Sequence, residues 1–491
     1  MHWVFFIILG TIFVLYHPVF SVYFSHDDFF HFKVSQTDGT LGGFLNLFGF
    51  HPFIERGIAF YRPVFREALF NIFYSLFGLN HLPFRILSIG IHFLNVGLVY
   101  LLMQKLFQKR ELALFISFFF GITAANVGSL YYLAGGVQSL GATTFVLLTL
   151  LSFWKWLEQG GKWYLLSFFA FILALGSHEL AVVTPLLLLG LLFVQKRLKQ
   201  DVKATIPFFV VLSVFLYLDL FLIGFSSAEA QYQPTLSPKT ILNSLSWYSL
   251  WALGIPEMFI DFVEPGFNLN PNLMKFWGDY ASGIFFFGGI AVTIFTASAV
   301  FVFRRAIKDR KFWFLLFWFP IALSPVLLLP LHKQTYYLTP ALPAFWGAVG
   351  LVVFSAYSWL KKRSGAMINI LAGVFLLSLF LLSVISIALA DKTYPAANRG
   401  RIAQKLVNEV KVKYPNLPKG VAVYFTNDPN YPKISGDWGG SSKQAAFILN
   451  KEDALQLFYK DPTLRVFYED FGGIPEDLPK EKVYSLVARI Q

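Results

Sequence analysis

The chain contains no cysteine. Disulfides, thiolate metal sites and cysteine nucleophiles are therefore excluded, although the absence identifies no compartment. Charge is also scarce. Only 14% of the 491 residues are Asp, Glu, Lys or Arg, against about 25% in ordinary soluble domains. No G-x-x-x-x-G-K-[ST] phosphate loop, no zinc-ligand spacing and no G-x-S-x-G turn occurs, which argues against an ATP-driven pump. No internal repeat or low-complexity tract is found.

What the chain has in excess is apolar surface. It is 56% hydrophobic and 19% aromatic, with 58 Phe. One water-soluble core cannot hide that many rings, so lipid is the natural solvent for the surplus. The formal charge of +12 does not point to nucleic acid. Most basic residues sit in short clusters between apolar runs, the pattern of topology-setting loops. The predicted fold is an α-helical polytopic membrane protein. Its spans, about eleven at about twenty residues each, are 3–24, 83–107, 112–132, 137–156, 163–177, 179–195, 205–225, 279–303, 312–330, 336–358 and 366–390. The first lacks a basic leader and a small-residue cleavage site, and is read as a retained helix rather than a signal peptide.

Alternate connections hold Lys105, Lys109 and Arg110; Lys155 and Lys162; Lys196, Arg197, Lys199 and Lys203; Arg304, Arg305, Lys308, Arg310 and Lys311; and Lys361, Lys362 and Arg363. These should be cytoplasmic. The N-terminus is then cytoplasmic, and loops 25–82 and 226–278 lie outside with the tail from 391. The tail alone has soluble composition. Its pattern predicts helices at 399–412, 442–449 and 452–458, and strands at 421–425, 464–468 and 483–487, giving a small extracytoplasmic α/β domain over 391–491 beside a transmembrane domain over 1–390. The stretches 61–79 and 240–253 read as interfacial helices. Prolines 234, 238, 256, 265 and 271 punctuate the second outer loop.

Ionisable groups gather on the outer face. Asp27 and Asp28, beside His26, follow the first span. Either supplies a general base or metal ligand, or the pair is a solvated loop start or helix cap. Tyr61-Arg62 and Arg66 offer phosphate contacts, or snorkel to headgroups. Ser177-His178-Glu179 lies between two apolar runs, where an ionisable residue is either functional or part of a turn. His332 and Lys333, with Tyr336 close by, break the positive-inside pattern. A lipid phosphate would explain the cation there, as would an ordinary headgroup contact. Trp251, Pro256 and Glu257 either line a sugar site or anchor the interface.

Taken in order, Asp27-Asp28-Phe29-Phe30, Tyr61-Arg62-Pro63-Val64, Leu76-Phe77-Gly78-Leu79-Asn80, His92-Phe93-Leu94-Asn95, Leu98-Val99-Tyr100 and Ser177-His178-Glu179 with Pro185 resemble the C-type glycosyltransferase superfamily. The likeness spans roughly 1–360. It is nearest to bacterial relatives of the protein O-mannosyltransferases and of the tetratricopeptide-containing mannosyltransferases. The chain departs from the family at Ala124-Ala125-Asn126 and Ser129, where His-Pro and Glu are usual, and at His178, where Lys is common; tetratricopeptide repeats are lacking. The resemblance implies inverting transfer of a sugar from a polyprenyl-phosphate carrier in the plasma membrane to a hydroxyl of a protein or glycan acceptor. It further implies Asp27 or Asp28 as base, Glu179 as second acid, and His332 and Lys333 near the donor phosphate. A divalent cation is compatible with this chemistry, but the sequence does not require one. A lipid or polysaccharide transporter, or a non-catalytic scaffold, is the alternative. A transporter would show charges inside spans and paired broken helices.

Overall fold

The computed structural model describes residues 2–224, 230–264, 266, 268–361, 365–432, 438–476 and 478–490. Pro265, Lys362 and Arg363 fall outside them. Among the described residues, eight helices are long and apolar enough to cross a membrane: Trp3–Ser21, His81–Phe107, Leu133–Gln159, Leu198–Ile223, Pro271–Ala306, Arg310–Leu327, Leu342–Leu360 and Gly365–Lys413. Each corresponds to one of the expected spans, and together they make the chain an integral membrane protein. The last of them runs past the expected end at 390, with a break at Tyr394 that separates Gly365–Thr393 from Pro395–Lys413.

The other three expected segments form shorter helices, Arg110–Ile122, Trp163–Leu175 and Glu179–Val194. At 1.5 Å per residue, a 13-residue helix such as Trp163–Leu175 reaches only about 20 Å, short of the roughly 30 Å hydrocarbon layer. The residues that end these helices are Thr123 after the first and Gly176-Ser177-His178 after the second. The helix Pro271–Ala306 carries a kink at Trp277, where φ is −131°; the expected span began just beyond it.

The Phe surplus goes two ways. Phe6, Phe221, Phe286 and Phe303 face outward from the helices, as lipid-facing side chains do. A second group forms a separate buried cluster, which includes the ends of helices His81–Phe107 and Leu133–Gln159. There Phe32 meets Phe70 at 4.9 Å and Phe84 at 5.3 Å, and Phe24 meets Phe84 at 5.2 Å between ring centres. This cluster is continuous with Leu406, Val410, Val423 and Leu455 of the tail. The segment 25–82 and the tail therefore share one core.

The tail holds a three-stranded parallel sheet in the order Arg465–Tyr468, Ala422–Thr426, Val483–Val487. Helices Pro395–Lys413, Ser441–Ile448 and Asp453–Tyr459 accompany it. In the first outer loop, Asp27–Val34 is followed by the short helices Leu41–Asn46 and Phe53–Arg56. The stretch 61–79 forms the wide turn Pro63–Ala68 running into Leu69–Phe77. The second outer loop carries Pro238–Leu253 and the tight turn Glu257–Phe262.

Candidate active site

These connections and the tail line a cavity of about 880 Å³, within the usual range of small-molecule sites. The first outer loop supplies His26, Asp27, Arg62 and Arg66. The second supplies Glu257 and Asp261, the connection at 331–337 supplies His332, Lys333 and Tyr336, and the tail supplies Arg399 and Phe447. Of the residues singled out from sequence, His26, Asp27, Arg62, Arg66, Glu257, His332, Lys333 and Tyr336 line this one space. Asp28, Tyr61, His178 and Glu179 do not.

The acidic pair separates cleanly. Asp28 is buried. One of its oxygens accepts from the Ser25 N–H at 3.0 Å and the other from the Ala134 N–H at 2.8 Å. The second bond satisfies a donor at the start of helix Leu133–Gln159 that has no intrahelical partner. Burial pushes the Asp28 carboxyl up to about 6, while Arg85 pulls the other way. Arg85 itself is fully buried in helix His81–Phe107. It donates to the carbonyls of Val22, Leu130 and Tyr131 at 3.0 Å and of Tyr23 at 3.3 Å. Arg85 and Asp28 thus tie the end of the first span to the start of another. Asp27 instead faces the cavity, accepts a short hydrogen bond from the Tyr132 hydroxyl, and lies 3.4 Å from His26 Nε2.

Arg62 is held as a fork. Its Nε and Nη2 donate to the two Glu179 oxygens at 2.7 and 2.5 Å, and Nη1 donates to Gln138 Oε1 at 2.8 Å. Glu179 is therefore fully engaged with Arg62 rather than available as a second acid, and the pair raises the Arg62 pKa. His178 is completely buried and its Nδ1 accepts from the Leu180 N–H at 3.2 Å. A nitrogen that accepts cannot also donate to Glu179 3.3 Å away, so His178 caps the turn as a neutral ring. Arg66 donates to the carbonyls of Ala59 and Phe60, both at 2.7 Å, and to Glu67 at 2.9 Å. It shapes the cavity wall, including Phe60 with its positive φ of 64°. Tyr61 points away. Its hydroxyl donates to the Phe48 carbonyl at 2.8 Å, its N–H donates to Asp219 at 2.8 Å, and its ring stacks on Phe50 at 4.1 Å.

Elsewhere in the cavity lining, Lys333 donates to Asn243 at 3.2 Å, and burial lowers its pKa. Tyr336 and Tyr337 are bonded through their hydroxyls at 3.1 Å. Glu257 accepts from the Thr335 N–H and hydroxyl at 2.7 and 2.5 Å, which pins the 331–337 connection to the second outer loop; burial pushes its carboxyl up. Trp251 is fully buried against Tyr248, 5.4 Å away, and is not among the residues lining this cavity. No three His, Asp or Glu side chains among the described residues are grouped to hold a metal ion.

Sequence reasoning passed over Tyr132, Gln138, Asp261 and Arg399. Gln138 and Tyr132 sit in an apolar run whose polar members look like loop breaks. Arg399 belongs to an amphipathic tail helix, where a basic residue carries no special signal. Asp219, an acid inside a span, is a signal that could have been followed.

Over residues 61–221 the chain matches the family described as dolichyl-phosphate-mannose-protein mannosyltransferase. That match bears out the resemblance read from the motifs. No curated protein matches the chain. Among solved structures, the chain is similar to the Archaeoglobus fulgidus oligosaccharyltransferase in its apo form, at 13% identity and TM-score 0.46, covering 86% of this chain and 62% of that one. It is also similar to the same organism's oligosaccharyltransferase in complex with an inhibitory peptide and a dolichol-phosphate, at 15% identity and TM-score 0.45, covering 91% and 63%. The chain thus spans less than two thirds of either.

Proposed function

We propose that the protein is a membrane glycosyltransferase that moves a sugar from a polyprenyl-phosphate carrier to an acceptor hydroxyl on the outer face, with inversion at the anomeric carbon. The observation that carries this reading is one cavity lined both by Asp27 and by the cations Arg62, Arg66, Lys333 and Arg399. The matched family's description names a sugar phosphate on a polyprenyl-type lipid, and a phosphate leaving group calls for such cations. Outside the cell an activated sugar has to arrive on a lipid, since ATP is absent there.

In this scheme the acceptor hydroxyl loses its proton to Asp27 as its oxygen attacks the anomeric carbon from the face opposite the phosphate. Arg62, its guanidinium held flat by Glu179, and Lys333 take up the charge that develops on the departing phosphate. Asp28 keeps the loop in place, and Glu179 orients Arg62 rather than exchanging a proton. The N-terminus and the connections rich in Lys and Arg are cytoplasmic, and the tail from 391 is an extracytoplasmic unit that closes the cavity. The acceptor is a protein or glycan.

The test is transfer from a panel of polyprenyl-phosphate hexoses by the full-length protein in liposomes, compared with Asp27→Asn. Loss of about 10²-fold or more, the usual worth of a general base, supports the reading; equal transfer by the variant refutes the assignment.

A further inference from the structure

His26 is the residue at which the tail touches the acidic motif, and its backbone is strained. Its φ is +51°, a value that non-glycine residues adopt uncommonly and that persists only when the surroundings enforce it. Those surroundings come from residues more than four hundred positions away. The His26 N–H donates to the Ile448 carbonyl at 2.7 Å. The ring stacks on Phe447 with centres 3.8 Å apart and planes 30° apart. Nδ1 lies 3.0 Å from the Phe447 carbonyl.

A carbonyl only accepts, so Nδ1 carries a proton. The other ring nitrogen, Nε2, faces the Asp27 carboxylate at 3.4 Å. A protonated ring therefore presents a charge-assisted donor to Asp27, whereas a neutral ring turns a lone pair towards it. Several groups face this ring or its partner. Arg399 lies 5.4 Å from the centre of the Phe447 ring. The Tyr132 hydroxyl holds the far oxygen of Asp27. Asp28 and Arg85 stand behind the loop. Asp27 and the Phe447 carbonyl favour the protonated ring, while burial and Arg399 disfavour it, with burial the largest effect.

We propose that His26 is a positioning residue for Asp27, oriented and fixed in its Nδ1–H form by Phe447, so that the tail is a working part of the site. The catalytic half of this statement rests on the reading of Asp27 as the base; the structural half does not.

The experiment is a pH titration by ¹⁵N NMR of full-length protein carrying ¹⁵N-histidine in nanodiscs, with the His26 signals assigned through His26→Gln. Neutral His26 should be protonated at Nδ1 and titrate at Nε2. Its midpoint should fall by about one pH unit in Asp27→Asn and rise in Arg399→Gln. If Asp27→Asn does not fold, the Arg399→Gln shift decides. A neutral ring protonated at Nε2, or a midpoint that neither variant moves, would overturn the proposal. In a transfer assay, His26→Gln should displace the acidic limb of the pH profile, which a purely structural residue would not do. If the NMR shifts appear and no donor is turned over, the positioning stands and the proposed function falls.

Discussion

A carboxylate whose two oxygens both accept buried backbone N–H groups has little left to offer an incoming hydroxyl. That is the position of Asp28, whereas Asp27 looks into the cavity from the next residue. Asp27→Asn should abolish transfer and leave the melting temperature in place. Asp28→Asn turns an amide NH₂ towards one of two backbone donors and should cost about 1–3 kcal/mol of stability, read as a lower melting temperature. The sign of the pH effect also follows. Because the folded-state Asp28 carboxyl is raised from 3.8 to about 6, its contribution to stability is complete below about pH 4 and is lost as pH rises through about 6. The gap in melting temperature between wild type and Asp28→Asn should therefore narrow from pH 4.5 to pH 7.5; a constant gap would contradict the burial of that charge. Glu179→Gln leaves the largely buried Arg62 without its counter-ion and should cost about 3–5 kcal/mol, with transfer falling because the guanidinium is no longer fixed.

At the scale of elements, one close packing contact limits how near the tail comes to the end of the first span. A Cβ on Gly400 would stand 2.6 Å from the Tyr23 carbonyl oxygen. Helix Pro395–Lys413 can therefore approach that backbone only with glycine there. Gly400→Ala should cost about 1–3 kcal/mol through overpacking and should speed hydrogen exchange in residues 20–26; unchanged exchange would contradict the contact. Here the sequence was informative for a physical reason. The tail strands are short apolar runs bounded by turn residues, and the expected strand 483–487 coincides with Val483–Val487. The expected strand 421–425 lies one residue from Ala422–Thr426. The long spans were legible from length and hydropathy alone. The three short helices were not, because an apolar run broken by Gly176 or Thr123 has the composition of a span without its length. The partners inside the site were hidden for another reason. Nothing local in Arg62 or Glu179 says that they meet across more than a hundred residues, or that Arg399 of a tail helix lines the same cavity as Arg62.

At the scale of the whole molecule, the connections rich in Lys and Arg and the outer cavity should face opposite sides of the bilayer. Lys109 and Lys419 are both exposed, one in a basic connection and the other in the tail. Because the chain has no cysteine, Lys109→Cys and Lys419→Cys each introduce a single thiol. A membrane-impermeant maleimide should label the tail position in intact cells and the other only after permeabilisation; labelling of both from one side would overturn the proposed orientation.

The proposed function rests on a phosphate leaving group meeting cations that share one cavity with Asp27. The most direct measurement is the release of polyprenyl phosphate from radiolabelled polyprenyl-phosphate hexoses by purified protein in liposomes, with an acceptor extract present. The expected result is release coupled one-to-one to labelled acceptor in wild type, with neither product formed by Asp27→Asn. Translocation of intact lipid-linked sugar with no phosphate released, or equal release by wild type and variant, would contradict it.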